Sequence, residues 1–581
     1  MEQEQKSDLK ELGIEGPKAP KDPRKHRSFL YVMMDTPIEA SDRKESSPSQ
    51  EFYLDHKRII DFVKLASGFT DETMLNLLGD CSGFHQLVHS IGISVKSDTD
   101  PDGTVKFVLQ NWGKTNIYET GTRLEISCPK DGTEMMIRLK DYSWSPEDDV
   151  LGKFGFEFDQ VGAMATATVR LFLQDGYEVP ELVVEDPVSF HSADYKAMVS
   201  GSLLNLGNTY RLKNAIKKAK RGEEVTLAYI GGSITQGAGA KPINTGCYAY
   251  KSYQIFREMF GKAGGKNIHF VKAGIGGTPS ELGMLRYDKD VCKNGAVTPD
   301  ILVIEFAVND AGDETNGICF ESLCLKALNG PGKPAVILLF SVFLDDWNLQ
   351  DRLAPIGYHY HLPMVSVKDA VVDQFVLSKD MGNVISKRQF FFDVYHPTND
   401  GHTVMADCLG YLFTEADKAA EEKEDISLEQ EPLLGDWFKE VLFIDRRENT
   451  ELLQISEGSF YGTDYDLQAV ELDEDSDTTP QFTNNWMHME GAGQEDFVLT
   501  VESKSLVLIY KDSGNSFFGS AEVYVDGVYL KTLNPHEVNW THCNPVILYR
   551  EDTSGKHEVR LRMAEGDQDK FFTILGFGIV K

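Results

Sequence analysis

A serine stands behind two glycines in VTLAYIGGSITQGAGA, residues 225–240. The apolar run ends at Ile230, and Gly231 and Gly232 let the chain turn sharply beside Ser233. A hydroxyl placed there sits at the carboxyl end of a strand, where open α/β sheets bind ligands. Taken alone, the motif is equally a glycine turn with an incidental serine. Three later segments change that balance. HFVKAGIGGTPSE (269–281) runs a strand into a glycine turn whose backbone N–H groups can face a ligand oxygen. ILVIEFAVNDAGDE (301–314) brings Asn309-Asp310 to the end of a third strand. FFDVYHPTNDGH (391–402) places Asp393 three residues before His396. Together they supply what acyl transfer needs: a nucleophile, a base, an orienting carboxylate and oxyanion donors. Phosphate-loop readings fail at positions with a mechanical role. Ala238 follows Gly232–Gly237 where lysine is required, and Pro279 ends the run that starts at Gly274.

These residues need a scaffold, and residues 201–425 have the pattern for one. Apolar runs at Val225–Ile230, Ile268–Ala273, Ile301–Phe306, Ala335–Val342 and Met364–Val367 alternate with helical segments, among them Tyr248–Phe260 and a closing helix from Thr403 to about Glu422. Such runs predict a parallel sheet covered on both faces. The first three motifs fall at strand carboxyl ends, and the Asp-His pair lies just before the closing helix. Residues 28–200 open with helical segments (Asp55–Leu65, Thr73–Leu78). Short alternating runs follow at Thr104–Asn111, Thr122–Cys128, Glu134–Tyr142, Lys153–Asp159 and Thr166–Gln174. Residues 437–581 repeat that style, with a hairpin signal at Asp526-Gly527. Both flanks predict β-sandwiches. Residues 1–27 read as a flexible tail and 426–436 as an acidic linker.

In order and spacing, GGSIT, AGIGG, AVND and DVYH resemble the blocks of the SGNH (GDSL-like) hydrolase superfamily. The resemblance covers residues 205–420. It implies a flavodoxin-like core, the nucleophile Ser233, and Asp393 and His396 as its partners. It also implies an oxyanion hole made of the Ser233 N–H, the Gly277 N–H and the Asn309 amide. Lys272 stands where block II usually has asparagine, Ala307 where block III usually has glycine, and Gly232 where many members have aspartate. GGSIT is the variant familiar among carbohydrate esterases. The implied reaction is removal of O-acetyl groups from xylan- or mannan-derived oligosaccharides. The alternatives are a lipid esterase or thioesterase with the same triad, and a glycan-binding protein with an inactive core.

Other residues carry weaker signals. The loop 345–366 offers Trp347, Arg352, Tyr358, His359 and His361 as pocket residues, against the plainer reading of a loop packed on the sheet. Trp486 and Trp540 sit among polar neighbours and suit stacking on a sugar face, although sandwich tryptophans are more often core. His402 and Asp310 read as structural. No metal or other cofactor is expected, since no matching carboxylate cluster accompanies the histidines and no Cys-x-x-Cys pair occurs among the eight cysteines.

Composition bounds the partners. The 581 residues hold 58 Lys and Arg against 91 Asp and Glu, a formal net charge of −33. That disfavours nucleic acid and anionic membrane surfaces. It also repels an anionic thioester while leaving a neutral glycan ester unaffected. No run approaches the ~18 apolar residues of a membrane span, and the first residues, MEQEQKSDLK, lack the apolar core of a secretory signal. The reading is a cytoplasmic protein with reduced thiols. Homo-oligomerisation is left open.

Overall fold

The computed structural model describes residues 27–40, 48–180, 182, 185–447, 453–472, 479–538 and 540–581. Almost all of the tail assigned to residues 1–27 lies outside them. Two compact units divide the chain, 1–185 and 186–581.

The first unit holds two four-stranded antiparallel sheets. Its strands are β1 (Phe29–Glu39), β2 (Ser49–Tyr53), β3 (Val88–Lys96), β4 (Thr104–Gly113), β5 (Arg123–Pro129), β6 (Met135–Arg138), β7 (Asp148–Glu157) and β8 (Met164–Leu173). They pair in the orders β1-β8-β3-β6 and β2-β7-β4-β5. In β8 every second residue is buried, which is the pattern of a strand with one covered face. The run predicted as a strand over Glu134–Tyr142 ends at Arg138 and continues as a 3₁₀ turn.

The second unit begins with the helix Ala193–Ser200, which packs on the long helix Asn399–Lys418 through the Tyr195 hydroxyl bonded to Asp407. Its central sheet contains β9 (Leu203–Asn205), β10 (Val225–Gly231), β11 (Ile268–Gly274), β12 (Ile301–Glu305), β13 (Ala335–Phe340) and β14 (Met364–Ser366). The five strands β11-β10-β12-β13-β14 are mutually parallel. Their side chains are almost all buried, because helices cover both faces. Antiparallel strands close both edges: β9 pairs with β14, and β17 (Ala469–Leu472) pairs with β11.

The remaining strands are β15 (Leu442–Ile444), β16 (Leu453–Ser456), β18 (Thr479–Pro480), β19 (Trp486–His488), β20 (Phe497–Asp512), β21 (Ala521–Val525), β22 (Val528–Leu533), β23 (His542–Met563) and β24 (Phe572–Val580). Apart from β18, which pairs with β17, they form one antiparallel sheet system. The second half of β20 is buried on both faces. Leu506, Leu508 and Tyr510 enter the core of this C-terminal region, while Val507 and Ile509 enter the core shared with the parallel-sheet layer. The period of two thus joins the region to the parallel-sheet layer through a continuous apolar seam.

The acidic stretch 426–436 is not a loose tether. The Glu321 carboxylate accepts from the Leu433, Leu434 and Gly435 N–H groups and from the Tyr360 hydroxyl. Ile426 and Leu428 pack against the shared core.

Candidate active site

Ser233 opens a four-residue helical turn directly after β10. Gly232 is needed there for a steric reason. A Cβ on it would lie 2.2 Å from Asn309 Oδ1 and 2.9 Å from Nδ2, so the Asn309 amide packs on the bare backbone beside Ser233. Asn309 itself follows β12, and its Oδ1 is buried without a hydrogen-bond partner among the described residues. Gly277 has φ +68°, a left-handed conformation that favours glycine.

The loop after the helix Lys387–Phe390 shapes the Asp-His pair. Asp393 Oδ1 accepts from the Tyr395 and His396 N–H groups, both at 2.8 Å, which folds the segment back on itself. His396 Nδ1 then lies 2.9 Å from Asp393 Oδ2, and His396 Nε2 lies 2.9 Å from Ser233 Oγ. A carboxylate only accepts, so Nδ1 carries the ring proton and the Nε2 lone pair faces the serine hydroxyl. Burial pushes the Asp393 carboxyl upward. The His396 ring and the two N–H donors more than offset this, and the group lies below the ordinary aspartate value. Ser233, His396 and Asp393 are therefore brought together in hydrogen-bonded sequence.

His402 is separate from this chain. It is buried in the helix Asn399–Lys418, accepts from the Tyr248 N–H at Nδ1 and donates from Nε2 to the Ala238 carbonyl. Burial pulls its pKa down to about 3, so it stays neutral. Asp310 is also buried and accepts from the Ser280 N–H. Lys272, at the position where block II usually has asparagine, is fully buried and donates to the Gln236 carbonyl and Asn244 Oδ1.

The C-terminal region reaches the glycine turn. Gln468 Nε2 donates to the Gly276 carbonyl at 2.7 Å, and His542 Nε2 donates to the Gly277 carbonyl at 3.0 Å. His542 Nδ1 lies 2.7 Å from Asn544 Oδ1, and Asn544 Nδ2 donates to Asp512. Trp540 is 44% exposed, and a Cβ on Gly277 would lie 3.1 Å from its ring, so it borders the site. Trp347 stacks on Phe343, Phe343 meets Tyr395 edge-on, and Tyr395 contacts His396.

Five expectations for pocket residues need correction. Trp486 is 1% exposed and packs against Phe497 and Phe577 inside the C-terminal core, so it offers no face to a sugar. Tyr358 and His359 end the helix Gln350–His359, whose first residues adjoin Asn309's loop through the Leu349 N–H bonded to the Ala307 carbonyl. Ten helical residues span about 15 Å, which carries both side chains away from the strand carboxyl ends. His359 instead meets the Glu431 carbonyl, and His361, beyond the helix, is carried away with it. Arg352 lies near the site but donates to the Asp310 carbonyl, so it braces the turn after Asn309.

Sequence reasoning missed Glu305, Gln468 and His542. Glu305 was visible as a charged residue inside the apolar run ILVIEFAV. Gln468 carries no sequence signal. Among the described residues, no group of three or more His, Cys, Asp or Glu side chains is arranged to hold a metal.

No family model matches the chain, and no curated protein matches it. Solved structures do. A crystal structure described as a two-domain esterase active on acetylated mannans shares 25% identity at a TM-score of 0.56, covering 66% of this chain and 99% of that one. A structure described as such an esterase co-crystallised with mannopentaose gives 26% identity and a TM-score of 0.54, covering 66% and 98%. In the order of its four blocks and the constellation they assemble, the chain resembles the SGNH-type ester hydrolases, and its structure is similar to that of a two-domain esterase described as active on acetylated mannans.

Proposed function

We propose that the protein removes O-acetyl groups from acetylated oligosaccharides derived from mannan or xylan, through an acyl-enzyme on Ser233. The observation that carries this is the Ser233–His396–Asp393 chain of hydrogen bonds at the carboxyl ends of the parallel strands. The likeness to an esterase active on acetylated mannans supports the substrate class. The parallel core is read as flavodoxin-like, and the flanking β-rich regions as sandwiches.

His396 Nε2 takes the Ser233 proton as Oγ attacks the ester carbonyl. Asp393 holds the ring in the productive tautomer and stabilises its cation. The oxyanion is received by the Ser233 and Gly277 N–H groups and the Asn309 amide. His396 then protonates the departing sugar hydroxyl, and water repeats the cycle on the acetyl-serine. Trp540 beside Gly277 and Tyr395 beside His396 offer the sugar aromatic faces near the triad.

Acetate release from acetylated manno- and xylo-oligosaccharides tests the reading, with Ser233→Ala expected to abolish it. A short acyl preference on nitrophenyl esters is expected. A preference for long chains would move the assignment to a lipid esterase. A folded protein that a fluorophosphonate does not label at Ser233 would leave only a glycan-binding role.

A further inference from the structure

Glu305 ends β12, the middle strand of the parallel sheet, and pairs with Gly231, two residues before Ser233. It is fully buried. Its two oxygens take different donors: Ser341, just past β13, and Thr235, at 3.2 Å, inside the helical turn that Ser233 opens. Thr235 Oγ1 in turn lies 2.8 Å from the buried Tyr248 hydroxyl. Two hydroxyls directed at one carboxyl is the arrangement an acceptor-only anion selects.

A buried carboxylate is costly unless a positive charge compensates it. The buried cations nearby have other partners: Arg286 bonds the Gly231 carbonyl and Asp290, and Lys272 bonds the Gln236 carbonyl and Asn244. The groups that face Glu305 are Thr235 from the serine turn, Tyr248 from the helix Tyr248–Phe260, Ser341 from the β13 end, and Asp310 and His396 through space. Of these, His396 alone can become a cation, and it does so when Ser233 loses its proton.

We propose that Glu305 is a positioning residue of the triad: through Thr235 it fixes the turn that carries Ser233, and its buried charge favours the imidazolium forming on His396. The inference rests on the esterase reading of Ser233 and His396. Burial drives the Glu305 pKa up to about 7, against the pull of Ser341, Thr235 and His396. Its charge is therefore present above that pH and lost below it. The raised value also means that the folded state holds the proton more tightly than the unfolded chain. Glu305 thus withdraws stability as pH rises from its ordinary 4.5 through about 7.

Glu305→Gln keeps the shape and removes the charge. The ratio of wild-type to variant kcat/KM on nitrophenyl acetate is expected to be roughly tenfold above about pH 8 and to shrink toward one below about pH 6, one pKa unit of interaction being a factor of ten. At alkaline pH the variant is expected to unfold at a higher temperature than the wild type. Thr235→Val keeps the carboxyl but removes one donor to its charged form, so it is expected to lower turnover at every pH and to move the pH dependence upward. A Glu305→Gln ratio that is flat with pH, or a variant less stable at alkaline pH, overturns the proposal. Loss of activity in Ser233→Ala alongside a flat ratio rejects Glu305 alone, whereas an active Ser233→Ala rejects the esterase reading beneath it.

Discussion

Asn309 and Gly232 form one steric unit, and their coupling is measurable. The amide can lie beside Ser233 only because position 232 carries no side chain; a Cβ there would approach Asn309 Cγ to 2.7 Å. Asn309→Ala removes one oxyanion donor and is expected to lower kcat by roughly 10²–10³. Gly232→Ala displaces the same donor and should cost a similar factor. Because both changes remove one interaction, the double variant should be no slower than the slower single variant. Multiplying effects would show that Gly232 acts through something other than Asn309.

At the scale of elements, the glycine turn after β11 is held from outside the parallel layer. β17 extends the sheet at the β11 edge, pairing Ala273 with Leu472 and Gly274 with Glu471, and it sets Gln468 against the Gly276 carbonyl. The first residue of β23, His542, takes the next carbonyl. His542→Phe is expected to lower kcat on a small nitrophenyl ester with little change in KM, because it loosens the hole and leaves the ester's contacts intact. His542→Gln, which keeps a donor at that reach, should recover part of the loss. A rise in KM at constant kcat would instead make His542 a substrate contact. The parallel strands behind this were legible, because strands buried on both faces read as unbroken apolar runs, and the helix Tyr248–Phe260 falls at the bounds its pattern gives. The candidate site was legible because Ser233, Gly277, Asn309 and the Asp393–His396 pair lie in four short local motifs. What could not be read were short edge strands such as β9 and β17, whose few residues are fixed by partners distant in sequence. The two tryptophans show the same limit. Trp486 and Trp540 have similar polar neighbours in sequence, yet pairing of β19 with β24 buries one while the other stays at the surface.

For the whole molecule, the net charge of −33 is not simply a surface property. Glu305, Glu321, Asp464 and Asp512 are buried and act as internal fasteners. Asp464, which opens the acidic run 464–477, meets Lys511 and Thr573, while 473–477 of that run lie outside the described residues. Asp512 accepts from the Glu537 and Val538 N–H groups as well as from Asn544. These fasteners, the Glu321 anchor on 433–435 and the shared core at Val507 and Ile509 make the parallel layer and the C-terminal region one cooperative body. Removing residues 437–581 uncovers that apolar seam and both carbonyl anchors, so a chain ending at 436 is expected to aggregate on expression. Every group placed at the site here belongs to the second unit. A chain of residues 186–581 should therefore fold, label at Ser233 and hydrolyse nitrophenyl acetate with the kcat of the full protein. A soluble 186–581 chain with collapsed turnover would assign the first unit a part in the chemistry, whereas unchanged turnover with weakened action on long oligosaccharides would assign it to substrate capture.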